Sequence, residues 1–93
     1  MANDTKWREF FTQVIAQHIA VEIKLLHEAL PFQCRRVWSP AENYIEGDAM
    51  GPELFIYIEW VRSAETQKIQ SAAAVVGLEY QVQDGVATVY GYR

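Results

Sequence analysis

The stretch AQHIAVEIKLLHEAL, residues 16 to 30, decides how the rest of the chain is read. Taken as helix, it continues the residues before it and makes one long N-terminal helix from Asp4 to Leu30. Asn3 or Asp4 supplies the N-cap, and acidic Asp4 suits the positive end of the helix dipole. Pro31 ends the helix, because the residue before a proline avoids the helical region. Placed around a helical axis, Trp7, Phe10, Phe11, Val14, Ile15 and Ile19 share one side with Val21, Leu25, Leu26 and Ala29. Ile23 and Leu30 widen that side, while Glu9, Gln13, Gln17, Lys24 and His27 take the other. The apolar arc exceeds the roughly 100° stripe that seats a helix on one surface. At about 1.5 Å per residue, such a helix would run about 40 Å, more than so small a domain needs. Breadth and length together call for a second contact, either another element or a second subunit.

Within that stretch, His18 and Glu22 stand one turn apart among apolar neighbours. An imidazole and a carboxylate at this spacing suit a metal, a base held in one tautomer, or the wall of a ligand pocket. The metal reading lacks a third ligand, since His27 falls on the opposite side and no HExxH pattern occurs. The plain alternative is an ion pair between Glu22 and Arg35, Arg36 or Arg62, because a buried charge without a partner is costly.

After the helix, PFQCRRVW (residues 31 to 38) reads as a strand with Cys34, Arg36 and Trp38 on one side and Gln33, Arg35 and Val37 on the other. On that alternation the two arginines cannot grip one anion together. The loop SPAENYIEGDAMGP, residues 39 to 52, is long for a compact domain, and such loops are usually functional or mobile. ELFIYIEWVR, residues 53 to 62, is a nearly unbroken apolar run that suits a central strand. Leu54, Ile56, Ile58 and Trp60 would form one face, and Phe55, Tyr57, Glu59 and Val61 the other.

Residues 63 to 77, SAETQKIQSAAAVVG, read as a short second helix. Ser63 is a candidate cap, Gly77 suits the residue just past the end, and Ile69, Ala72, Ala73 and Val76 make a small-residue stripe. A strand through Ala72–Val76 is the rival. The chain then offers LEYQVQ, Asp84-Gly85 and VATVYGY, a hairpin pattern with a type I′ turn. That turn sets Gln83 against Val86, Val82 against Ala87, Tyr80 against Val89 and Leu78 against Gly91.

The expected architecture is therefore one α+β domain over residues 1–93, in which a long N-terminal helix packs on a mainly antiparallel sheet in the order α-β-β-α-β-β. If the second helix is instead a strand, one helix is wrapped by a curved five-stranded sheet.

Composition narrows the function. The chain is 51% hydrophobic with a net charge of −4, so it is built to fold and is a poor nucleic-acid binder, which would show a basic patch. No apolar run reaches the length of a membrane span. The single cysteine, Cys34, and an N-terminus without a signal-like apolar run fit a reducing, cytoplasmic setting. Cys34 itself reads as a structural thiol. No phosphate loop, nucleophile elbow or Cys-x-x-Cys pair occurs, so no catalytic residue, cofactor or metal is expected.

The preferred expectation is a small acidic binding protein, an adaptor, inhibitor or chaperone-like domain, that pairs with itself as a homodimer and with a basic protein partner. Its interface candidates are Glu42, Tyr44, Glu46 and Asp48 in the acidic loop, and Tyr90 and Tyr92 on the outer hairpin face. The second expectation is a small-molecule pocket between helix and sheet, lined by His18, Glu22, Tyr57, Trp60 and Tyr80. The third is an enzyme that uses the His18–Glu22 pair.

Overall fold

The computed structural model describes residues 2–92 and has an α+β fold: two helices, one five-stranded antiparallel sheet and a separate two-stranded hairpin. In chain order the elements are α1 (Asp4–Ala16), β1 (Val21–Leu25), β2 (Phe32–Cys34), β3 (Tyr44–Gly47), β4 (Met50–Leu54), β5 (Ile58–Ser63), α2 (Thr66–Val76), β6 (Tyr80–Gln83) and β7 (Val86–Tyr90). The main sheet runs β2-β1-β5-β7-β6. The expected order α-β-β-α-β-β omitted a strand in residues 16 to 30 and the β3–β4 hairpin.

The long N-terminal helix does not form. α1 starts as read, with the Asn3 side chain accepting the Lys6 N–H at 2.8 Å, but it stops at Ala16. His18 then adopts a left-handed backbone, φ 54°, which turns the chain out of the helix. Residues 19 to 25 follow as extended chain. Ile19, Val21, Ile23 and Leu25 are buried, while Ala20, Glu22 and Lys24 face outward. This is the period of two that a strand demands, and β-branched residues favour it. The broad apolar arc was the sign of trouble. It came from forcing a two-residue period onto a helical wheel. With α1 at 13 residues, the excess length and excess breadth that suggested a second subunit both disappear.

α1 and α2 pack on one another over a single face of the sheet. The core between the layers is aromatic. Phe10 and Phe11 meet edge to face at 5.3 Å, Trp7 lies 5.7 Å from Phe11, and Phe55 stacks on Phe11 at 6.0 Å. α2 contributes Ile69, Ala72 and Ala73, small enough to bring its backbone close to the sheet, and Gly77 closes it at φ 76°. Ser63 does not cap this helix. It ends β5, where its hydroxyl accepts the Glu65 N–H and donates to the Ala20 carbonyl.

The run at 53 to 62 is not one strand. Its first two residues close the β3–β4 hairpin, Phe55–Tyr57 form a 3₁₀ turn that drops Phe55 into the core, and β5 begins at Ile58. A bulge then shifts the pairing, with Lys24 opposite Trp60 and Leu25 opposite Ile58. The extra residue leaves Glu59 and Trp60 both half-buried between buried Ile58 and Val61. Strict alternation across this run therefore fails. It fails again at Arg35, where the chain bends after β2, so that Cys34 and Val37 are both buried although three residues apart.

The C-terminal hairpin forms in the expected register, Gln83 to Val86, Val82 to Ala87 and Tyr80 to Val89. Asp84 and Gly85 both have positive φ, as a type I′ turn requires. Leu78 lies before β6 and is buried, and the hydrogen bond from the Tyr90 N–H to the Glu79 carbonyl carries the same register one step past Tyr80.

Candidate functional site

Three surfaces carry the residues singled out from the sequence. The first is the sheet face that bears no helix. β1, β5 and β7 place Glu22, Arg62 and Thr88 in one cross-strand row, with Gln33 of β2 beyond Glu22. Arg62 donates to Glu22 at 2.8 and 2.9 Å, and its guanidinium lies 4.5 Å above the Trp60 ring. Lys24 reaches Glu59 at 3.1 Å because the bulge turns Glu59 outward. Beside this row, the small side chains of Ala20 and Ala64 leave an open groove of about 420 Å³, bounded by Glu22, Gln33, Arg62 and Val86. Glu22 pairs with Arg62 and Lys24 with Glu59 across this face, and Arg35 also lines the groove.

The second surface is the β3–β4 hairpin. Its inner side buries Ile45 and Met50. Gly47 approaches the sheet so closely that a β-carbon there would lie 2.7 Å from the Cys34 sulfur. Tyr44 and Leu54 are cross-strand partners and stand exposed side by side. Glu42, Glu46 and Asp48 lie in the same segment, and residues 37–61 contain no Lys or Arg. The Asp48 carboxylate accepts the Arg35 backbone N–H, and Glu53 meets His27 at 3.3 Å. Among the described residues, no side-chain partner engages the Glu42 or Glu46 carboxylate.

The third surface is a cleft of about 400 Å³ between the end of α1 and the bend after β2. His18, Arg35 and Arg36 line it together with Val14, Ile15 and Val37. The alternation that separated the two arginines does not hold, because β2 ends at Cys34 and the chain bends at Arg35.

The residues expected to line one ligand pocket are dispersed. His18 lies at the third surface and Glu22 at the first, so they are not neighbours on a helix. Trp60 shares the open face with Glu22. Tyr57 packs edge-on against His27 beside Leu26, and Tyr80 sits near the sheet edge with Glu79 and Tyr90. Of the arginines offered as partners for Glu22, Arg62 is the one used. Tyr90 and Tyr92 also separate. Tyr90 is half-buried on the open face, within reach of Gln81 at 3.3 Å, whereas Tyr92 has left the strand and its hydroxyl donates to the Ile56 carbonyl.

Cys34 is buried in the sheet, and burial pushes its thiol up from the ordinary value, with the Asp48 charge adding to the effect and a backbone hydrogen bond at Ala49 opposing it. A thiol held protonated is a poor nucleophile. Among the described residues, no three His, Cys, Asp or Glu side chains converge as metal ligands, and no helix is long and apolar enough to cross a membrane. Comparison with protein-family models, curated proteins and solved structures gives no match for this chain.

Proposed function

We propose that this chain is a protein-binding domain that presents its acidic β3–β4 hairpin to a basic protein partner. One observation carries the reading. Exposed Tyr44 and Leu54 lie side by side on the hairpin, in a segment that carries Glu42, Glu46 and Asp48 and no Lys or Arg. An aromatic and apolar centre with a charged rim is the anatomy of an interface core, and like-signed charge around it selects and speeds association with a partner of opposite charge. Glu42 and Glu46 make no side-chain pair within the fold among the described residues, so their charge is available to a partner. A buried, unpaired Cys34 fits work in a reducing compartment such as the cytoplasm. A second copy of the chain is a weaker candidate partner, since both copies carry the same acidic excess.

The test is a photo-crosslinker placed at exposed Asn43, applied in an extract of the native host. A basic protein should be captured, less so as salt rises, and capture should be lost in the Glu42→Lys/Glu46→Lys variant. Capture indifferent to both salt and charge reversal would refute the proposal.

A further inference from the structure

The cleft beside α1 holds a concentration of unspent positive charge. Among the described residues, six of the nine Lys, Arg and His side chains donate to an acceptor within the fold. Lys24, His27, Arg62 and Lys68 meet carboxylates, while Lys6 and Arg8 donate to the carbonyls of Gly77 and Glu42. The side chains of His18, Arg35 and Arg36 have no such acceptor, and all three line one cleft of about 400 Å³. In a chain of net charge −4, that convergence runs against the overall balance.

Two further features sharpen it. The Arg36 guanidinium lies 5.0 Å over the Trp38 ring, which restrains the side chain while leaving its in-plane N–H donors open to a ligand. His18 is exposed and holds a left-handed backbone, a conformation that costs an L-residue about 1–2 kcal/mol and glycine almost nothing. Packing does not explain the imidazole there. The negative end of α1, which would repel an anion, is partly offset because the Lys68 ammonium donates to the Gln17 carbonyl at 3.4 Å.

We infer that this cleft binds a small organic oxyanion, a carboxylate or a phosphate monoester, held by Arg35, Arg36 and His18 with its apolar part against Ile15. Two guanidinium groups match the paired oxygens of either anion, and a histidine ring offers an N–H donor in its neutral form as well. The volume lies within the range of small-molecule sites and far exceeds what a bare inorganic ion fills.

The experiment is an NMR titration of the intact chain with octanoate and, separately, with phenyl phosphate, at constant ionic strength set by chloride. Saturable shifts are expected at the side chains of His18, Arg35 and Arg36 for at least one probe, with half-saturation below about 10 mM. The responding probe tells a carboxylate ligand from a phosphate one. Arg35→Gln/Arg36→Gln should weaken binding about tenfold or more, as loss of charge-assisted hydrogen bonds does. Arg8→Gln, outside the cleft, should leave it unchanged. His18→Gly, which relieves the backbone, should keep the fold and still weaken binding. Failure of both probes to saturate, or equal losses in Arg8→Gln and the double variant, would overturn the inference.

Discussion

Gly91 shows how closely a single position can be constrained. Its N–H bonds to the Glu59 carbonyl at 2.9 Å, and a β-carbon there would lie 2.3 Å from the Ile58 carbonyl oxygen and 3.3 Å from the Trp7 ring. Backbone cannot yield as a flexible side chain does. Gly91→Ala should therefore cost about 2–3 kcal/mol, read from the midpoint of urea unfolding. His18 makes the opposite case. Glycine in its place should stabilise the fold by up to about 1 kcal/mol, because the gain from relieving a left-handed backbone outweighs glycine's extra chain entropy. A thermal melt of His18→Gly that falls below wild type would show that the imidazole makes a contact the backbone strain conceals. Cys34 sets an alkaline limit. The folded state holds its thiol proton more tightly than the unfolded chain does, so the stabilisation is complete at neutral pH. It is lost as pH climbs past the ordinary value of 9.0. Unfolding free energies measured from neutral to alkaline pH should decline in wild type and decline less in Cys34→Ala.

Among the elements, the cross-strand row on the open face is the most accessible to measurement. Glu22 and Arg62 form a short ion pair, but their side chains are 30% and 41% exposed. Water and salt screen such a pair, so a double-mutant cycle with Glu22→Gln and Arg62→Gln should give a coupling of about 0.5–1 kcal/mol that shrinks in high salt. A coupling of several kcal/mol would mean that the pair orders the centre of the sheet as well. The hairpin β6–β7 and helix α2 were legible because their signals are local. Asp84-Gly85 dictates its own turn and thereby the register, and Gly77 ends its own helix. β1 was hidden because Ile19, Val21, Ile23 and Leu25 satisfy a strand, while the same residues fall within a broad apolar arc on a helix. β3 and β4 were hidden in a polar, glycine-containing segment whose only buried anchors are a few residues such as Ile45 and Met50.

For the molecule as a whole, the accessible surface of 5301 Å² is close to the ~5500 Å² usual for a monomer of this mass. Most of the apolar residues that suggested a second subunit are buried within the chain, although Leu26 and Leu30 stay exposed, and sedimentation at tens of micromolar is expected to give a monomer. A dimer would direct attention to the outer edge of β6, where Tyr80 and Val82 are exposed. By itself the sequence determined the α+β class, the start of α1, the presence of α2 with its end at Gly77, and the register of the last hairpin. It also supplied the candidate acidic patch, since charge along a surface segment can be read without knowing the fold. Each of these depends on neighbours a few residues apart. What only the tertiary structure decided was the identity of residues 16 to 30 as turn and strand, the break of the 53–62 run, and the grouping of His18 with Arg35 and Arg36. Those outcomes depend on long-range partners: Arg62 and Val61 beside β1, Phe11 beneath Phe55, and α1 packed near the bend at Arg35. AQHIAVEIKLLHEAL could bury its apolar residues as helix or as strand. A central place in the sheet, between β2 and β5, gave the strand hydrogen-bonded neighbours on both sides.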